Sequence, residues 1–145
     1  GAGRRPDREV AALLAQLESE ACALPEAFKE MRFIRLCDRL YARPVESPET
    51  DGLRVVSPGL CLLRVGRSHV EPEHALAMAL PPAYARRRAE LTEEQANAYL
   101  RGEAVPFEGE KGWTLVLYAG LPLGWGKVSE GTLKNHLPKG LRRHA

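Results

Sequence analysis

Near the end of the chain, Lys127, Lys134, Lys139, Arg142 and Arg143 stand with His136 and His144, and the one carboxylate among them is Glu130. Cations crowded in this way attract phosphate. Asn135 and the backbone at Gly126 and Gly131 add hydrogen-bond donors, completing the mixture that phosphate and sugar contacts use. On charge alone the run fits a nucleic-acid contact and a solubilising end equally well, because it lacks interleaved aromatic residues. Arg86-Arg87-Arg88 is likewise either a second phosphate-facing patch or an exposed loop.

Other chemistries find less support. Cys22, Cys37 and Cys61 form no C-x-x-C pair and have aliphatic neighbours, so they read as reduced core thiols of a cytoplasmic protein. None sits at a recognisable helix start that would activate a thiolate. His69 and His74 would point about 140° apart on a helix, and no cysteine completes a zinc pattern, so no metal site is expected. Glu93 and Glu94 suit the positive end of a helix, while Glu108 and Glu110 suit a turn. The glycines from Gly120 to Gly126 surround Pro122 between two strand-like runs, which reads as a hairpin connection rather than a cofactor's phosphate cradle. Trp113, Trp125 and Tyr99 read as core residues. No catalytic residue and no cofactor are expected in this chain.

The 145 residues carry 21 Lys and Arg against 19 Asp and Glu, a net charge of +2, which excludes a polybasic histone-like protein. With 44% apolar residues the chain can build a core without disulfides. Val10–Ala15 is too short for a secretory core, and nothing approaches the roughly 18 apolar residues of a membrane span. Gly1-Ala2-Gly3 reads as either an appended scar or a cut edge, and a fragment is expected; the chain is also expected to be cytoplasmic and monomeric, with no membrane partner.

The elements that must position these residues follow from periodicity. Val10, Leu13, Leu14, Leu17 and Ala21 recur at helical spacing, which predicts an amphipathic helix ending before Pro25. From Phe28 a short helix or loop leads to a strand near Arg39–Arg43. Leu53–Val56 and Gly59–Gly66 read as adjacent strands, and Glu73–Leu80 as a short helix closed by Pro81-Pro82. Thr92 and Gln95 have the form of a capping box opening a helix to Leu100. Ala104–Phe107, Trp113–Tyr118 and Trp125–Val128 are short strands of a small barrel or meander.

Longer motifs carry a resemblance. Leu-Tyr-Ala-Arg-Pro at 40–44, Gly-Leu-Arg-Val-Val-Ser-Pro-Gly-Leu at 52–60, Glu-Pro-Glu-His-Ala-Leu-Ala at 71–77 and Tyr-Leu-Arg-Gly-Glu at 99–103 contribute to it. More specific are Gly112-Trp113, Pro-Leu-Gly-Trp-Gly-Lys at 122–127 and Leu-Lys-Asn-His-Leu-Pro-Lys-Gly-Leu-Arg at 133–142. Together, over roughly Phe28 to Arg142, they resemble the C-terminal region of RsmF-like RNA cytosine methyltransferases of the Nol/Nop/Sun family.

In that family a Rossmann-type domain binds S-adenosylmethionine and carries the methylating cysteines, while small C-terminal domains, the last PUA-like, grip the RNA. The family's catalytic cysteines follow Thr or Pro, whereas here they follow Ala21, Leu36 and Leu60, so no catalytic role carries over. The resemblance implies an α+β chain: a helix or linker from the methyltransferase domain over 1–25, a small α+β domain over 26–82, and a PUA-like mixed β-barrel with short helices over 83–145. It implies RNA-facing roles for Lys127, Lys134, Asn135, Lys139 and Arg142, with structured rRNA and the parent's methyltransferase domain as partners. Leu137 stands where relatives carry an aromatic residue before the proline. The expected function is noncatalytic positioning of rRNA for methylation from S-adenosylmethionine by a domain outside this chain. The alternative is a docking module without RNA contact, suggested by the apolar face of Val10, Leu13, Leu14 and Leu17.

Overall fold

The structure, a computed structural model, describes residues 8–45 and 59–143. Its first helix, α1 (Arg8–Glu20), turns Val10 and Leu17 inward, and Leu13 and Leu14 pack partly buried beside them. The three- and four-residue spacing of those side chains makes the buried stripe. Leu17 is fully buried, so its truncation to alanine would cost about 3 kcal/mol. After the single turn α2 (Glu26–Lys29), the chain enters an antiparallel sheet of β1 (Arg32–Leu36), β2 (Arg39–Arg43), β3 (Leu60–Val65) and β4 (Val70–Pro72), in that spatial order. The short helix α3 (His74–Ala79) follows and buries Leu76 and Ala77.

A second, five-stranded mixed sheet begins with β5 (Arg88–Leu91). Helix α4 (Glu93–Leu100) comes next, and Thr92 and Gln95 form the complete capping box at its start. The strands β6 (Val105–Pro106), β7 (Gly112–Tyr118), β8 (Leu121–Ser129) and β9 (Thr132–Asn135) complete the sheet in the order β5-β7-β8-β9-β6. Only β5 and β7 run parallel, and the sheet curls into a half-barrel with short helices, as a PUA-like domain does.

Strand β7 separates two cores. Trp113, Leu115 and Leu117 face α1, α3 and the first sheet, while Val116 faces α4 with Ala89, Val128 and Leu133. Alternation along one strand thus places side chains in both cores, which explains the unbroken buried run Trp113–Leu117. Trp125 joins the halves: its ring lies in the first core and its Nε1 donates to the Glu73 carbonyl at 3.0 Å. Gly124 lies behind it at φ +154°, where a Cβ would come within 2.5 Å of the Tyr99 hydroxyl. That hydroxyl donates to the Trp125 carbonyl at 2.7 Å.

Some expectations are corrected. The β7–β8 connection is only Ala119-Gly120, both at positive φ, and Leu121–Ser129 is strand with a register shift that accommodates Pro122 and Leu123. Cys37 is not a core thiol: it is exposed at φ 52° in the tight β1–β2 turn. Cys22 is buried and Cys61 half-buried. The strand expected at Leu53–Val56 lies outside the described residues.

Candidate nucleic-acid interface

The register of the second sheet brings three residues into one row: Trp113 on β7 faces Lys127 on β8, and Lys127 faces Lys134 on β9. Lys127 is half-buried, with its Nζ 5.3 Å from the centroid of the Trp113 ring. A cation over an indole face gains about 0.5–1 kcal/mol at an exposed site, so the ring holds the ammonium in place. His136 meets the same ring edge-on at 4.5 Å, and Lys127 and His136 leave Trp113 only 3% exposed. The tryptophan is a support beneath cations and cannot take a stacked base.

Lys127 and Lys134 have no carboxylate in ion-pair distance among the described residues. Like charges directly opposite on neighbouring strands are unfavourable by about 0.2–1 kcal/mol. Burial pushes the His136 pKa down, Lys127, Lys134 and Arg142 add to that, and Glu71 on β4 opposes them. His136 therefore sits at the electrostatic centre of the cluster, next to the edge of the first sheet. Nothing in its local sequence marks this role, because its partner Trp113 is distant in the chain.

The other proposed contacts are placed differently. Asn135 donates through Nδ2 to the carbonyls of Tyr99 at 2.8 Å and Glu103 at 2.9 Å, and its Oδ1 accepts from the Leu137 N–H at 2.8 Å. Its amide thus brackets the end of α4. Arg142 donates from Nε to the Leu137 carbonyl at 3.0 Å and lies across Gly102, where a Cβ would come within 2.5 Å of its Cδ. Gly102, at φ +93°, ends α4 and clears the path for this side chain. Lys139 is exposed in the 3-10 turn Lys139–Leu141, apart from the Lys127–Lys134 row in register. Leu137 is buried in the second core. His144 lies outside the described residues.

The arginine triplet resolves into backbone contacts. Arg86 donates to the Glu18 carbonyl, Arg87 to those of Lys111 at 3.1 Å and Glu20 at 3.4 Å, and Arg88 to Ala85 at 3.0 Å and Pro82 at 3.3 Å. Two of these carbonyls belong to the last turn of α1, which has no basic residue of its own. Elsewhere, burial pushes the Cys22 and Cys61 thiols up to about 12, with nearby Glu18 and Glu73 adding to the effect. Among the described residues no group of His, Cys, Asp and Glu could hold a metal ion, and no helix is long and apolar enough to cross a membrane.

Residues 17–80 match the family model of the RsmF rRNA methyltransferase first C-terminal domain, and residues 86–143 match that of the methyltransferase RsmF PUA domain. The chain belongs to the RsmF methyltransferase family, as its C-terminal region. The second match contains the whole row from Trp113 through Lys127 to Lys134. Both descriptions are of domains from an rRNA methyltransferase, and they suggest an RNA-binding module of such an enzyme. No match to a curated protein was found.

Proposed function

We propose that this region of an RsmF-like protein is noncatalytic and holds structured rRNA in position while the parent's methyltransferase domain transfers a methyl group from S-adenosylmethionine to C5 of a cytosine. The observation that carries the reading is the opposed, unneutralised pair Lys127 and Lys134. A phosphate backbone relieves their repulsion and releases its counterions, so the pair becomes favourable only in the complex. Lys127 and Lys134 contact phosphate directly, Lys139 and Arg142 extend the cationic edge, and Asn135 fixes the strand end that presents them. The module acts as a monomeric part of a cytoplasmic protein.

The noncatalytic reading rests on the thiols. A methylating cysteine must be a thiolate; burial keeps the Cys22 and Cys61 thiols protonated, and Cys37, exposed in the β1–β2 turn, follows Leu36 rather than the Thr or Pro that precedes the family's catalytic cysteines. Among the described residues no glycine-rich loop joins a strand to a helix as S-adenosylmethionine binding requires, and calorimetry should detect no binding of it at micromolar concentration.

The test is a salt titration of binding to a structured rRNA fragment, comparing the unaltered chain with the double variant Lys127→Gln/Lys134→Gln. Each lost phosphate contact lowers the slope of log affinity against log salt by about 0.7–0.9. An unchanged affinity and slope would overturn the assignment. A second reading has its own observation, an open, mostly apolar groove lined by Ala11, Leu14, Ala15, Leu24 and Phe33 together with Glu18 and Lys29. A chain that only docks another domain through this groove would bind no RNA in either form.

A further inference from the structure

The first sheet has an outer face that the reading above leaves unused. Leu40 and Ala42 of β2 are buried, Phe33 packs on the core and Arg35 pairs with Glu9 of α1, so the alternate residues of β1 and β2 point outward. Register then defines three rows on that face: Arg32 opposite Arg43; Ile34 opposite Tyr41, itself opposite Cys61; and Leu36 opposite Arg39, followed by Arg64 and Glu71. At one end the arginines are neutralised, Arg39 by Glu73 at 2.6 Å and Arg64 by Glu71 at 2.9 Å. At the other, Arg32 and Arg43 stand opposed with no carboxylate in ion-pair distance among the described residues. Tyr41 lies between the two ends, half-buried, with Leu36 48% exposed nearby.

We propose that this face is a second RNA-contacting surface, in which the cross-strand pair Arg32 and Arg43 binds phosphates of a single strand and a base stacks on Tyr41. The proposal rests on the RNA-binding reading of the chain and extends it to the first domain. Charge complementarity decides the occupant: two opposed arginines repel each other and call for a polyanion, and an aromatic ring amid open sheet residues supplies the sequence-tolerant platform that single strands use. The neutralised end also adjoins the lysine edge, since Glu71 and His136 act on each other electrostatically. A strand leaving Lys127 and Lys134 can therefore continue across β4 toward β1, about 14 Å away at ordinary strand spacing.

The test uses the full chain and two labelled probes, a blunt RNA hairpin and the same hairpin with a single-stranded uridine tail. Arg32→Gln/Arg43→Gln should weaken binding of the tailed hairpin roughly tenfold, lower its salt slope by about 1.4 and leave the blunt hairpin unchanged. Tyr41→Leu should weaken the tailed hairpin roughly tenfold at unchanged slope, with melting by circular dichroism confirming that each variant is folded. If both variants bind the tailed hairpin like the parent while Lys127→Gln/Lys134→Gln weakens both probes, the RNA-binding reading stands and this proposal falls; the arginines then guard the β1 edge against strand pairing, or face another domain. If the parent chain binds neither probe, both fall together.

Discussion

Arg86, Arg87 and Arg88 are consecutive, whereas Lys127 and Lys134 meet only through the register of β8 and β9. The arginines make the denser cluster in sequence, yet each guanidinium donates to backbone carbonyls inside the molecule, two of them at the end of α1. Among the described residues the lysines meet no acceptor of that kind, and a tryptophan ring holds one of them in place. A cation whose donors are satisfied internally stabilises the fold, and one left opposed to a like charge is available to an external anion. Asn135 and Arg142 fall between the two, with internal hydrogen bonds at the margin of the lysine row.

The sharpest way to test this division is to remove the bracket that the RNA-facing motif hides. Asn135→Ala deletes the bonds to Tyr99, Glu103 and Leu137 and should cost about 3 kcal/mol in urea unfolding. A loss below about 0.5 kcal/mol would return Asn135 to the RNA contacts. Arg87→Ala comes next, at about 1 kcal/mol, because it uncaps the α1 carbonyl end and leaves Lys111 without its donor. Its RNA affinity and salt slope should match the parent's, and a reduced slope would make the triplet a phosphate patch after all. For Lys127→Gln/Lys134→Gln the relieved repulsion and the lost contact of Lys127 with Trp113 offset each other, so stability should stay within about 0.5 kcal/mol of the parent's while the RNA salt slope falls. A destabilised variant with an unchanged slope would place the lysines with the arginines.

What sequence could read here divides along the same line between local and distant causes. The capping box at Thr92 and Gln95, the strand Arg39–Arg43 and the α1 stripe depend on residues within a turn or two, and all three form as expected. β5 does not announce itself, since Arg-Ala-Glu-Leu has little strand character and becomes a strand by pairing parallel to β7, with Arg88 opposite Leu115. β1 is obscured by the charges of Arg32 and Arg35 and by a turn that sets Cys37, not glycine, at positive φ. For the candidate site, Lys127 and Lys134 were visible as charges. Their opposition, the support of Trp113 and the place of His136 required the register of three strands.

His136 offers the smallest and most selective measurement. Its pKa is held below the ordinary 6.5 by burial and by Lys127, Lys134 and Arg142, against the pull of Glu71. Between that lowered value and about 6.5 the unfolded chain binds a proton that the folded chain does not, so stability falls as pH drops through this window and is unaffected above it. His74, also lowered by burial, contributes in the same direction. A phosphate seated on the lysine row supplies the missing negative charge and raises the His136 pKa, so RNA affinity should increase a few-fold from about pH 7.5 to about pH 5.5 at constant ionic strength. His136→Gln should flatten that dependence while leaving the His74 share of the acid destabilisation in place. An RNA affinity that ignores pH in the unaltered chain would put the phosphate elsewhere than beside Lys127 and Lys134, even if both lysines prove to matter for binding.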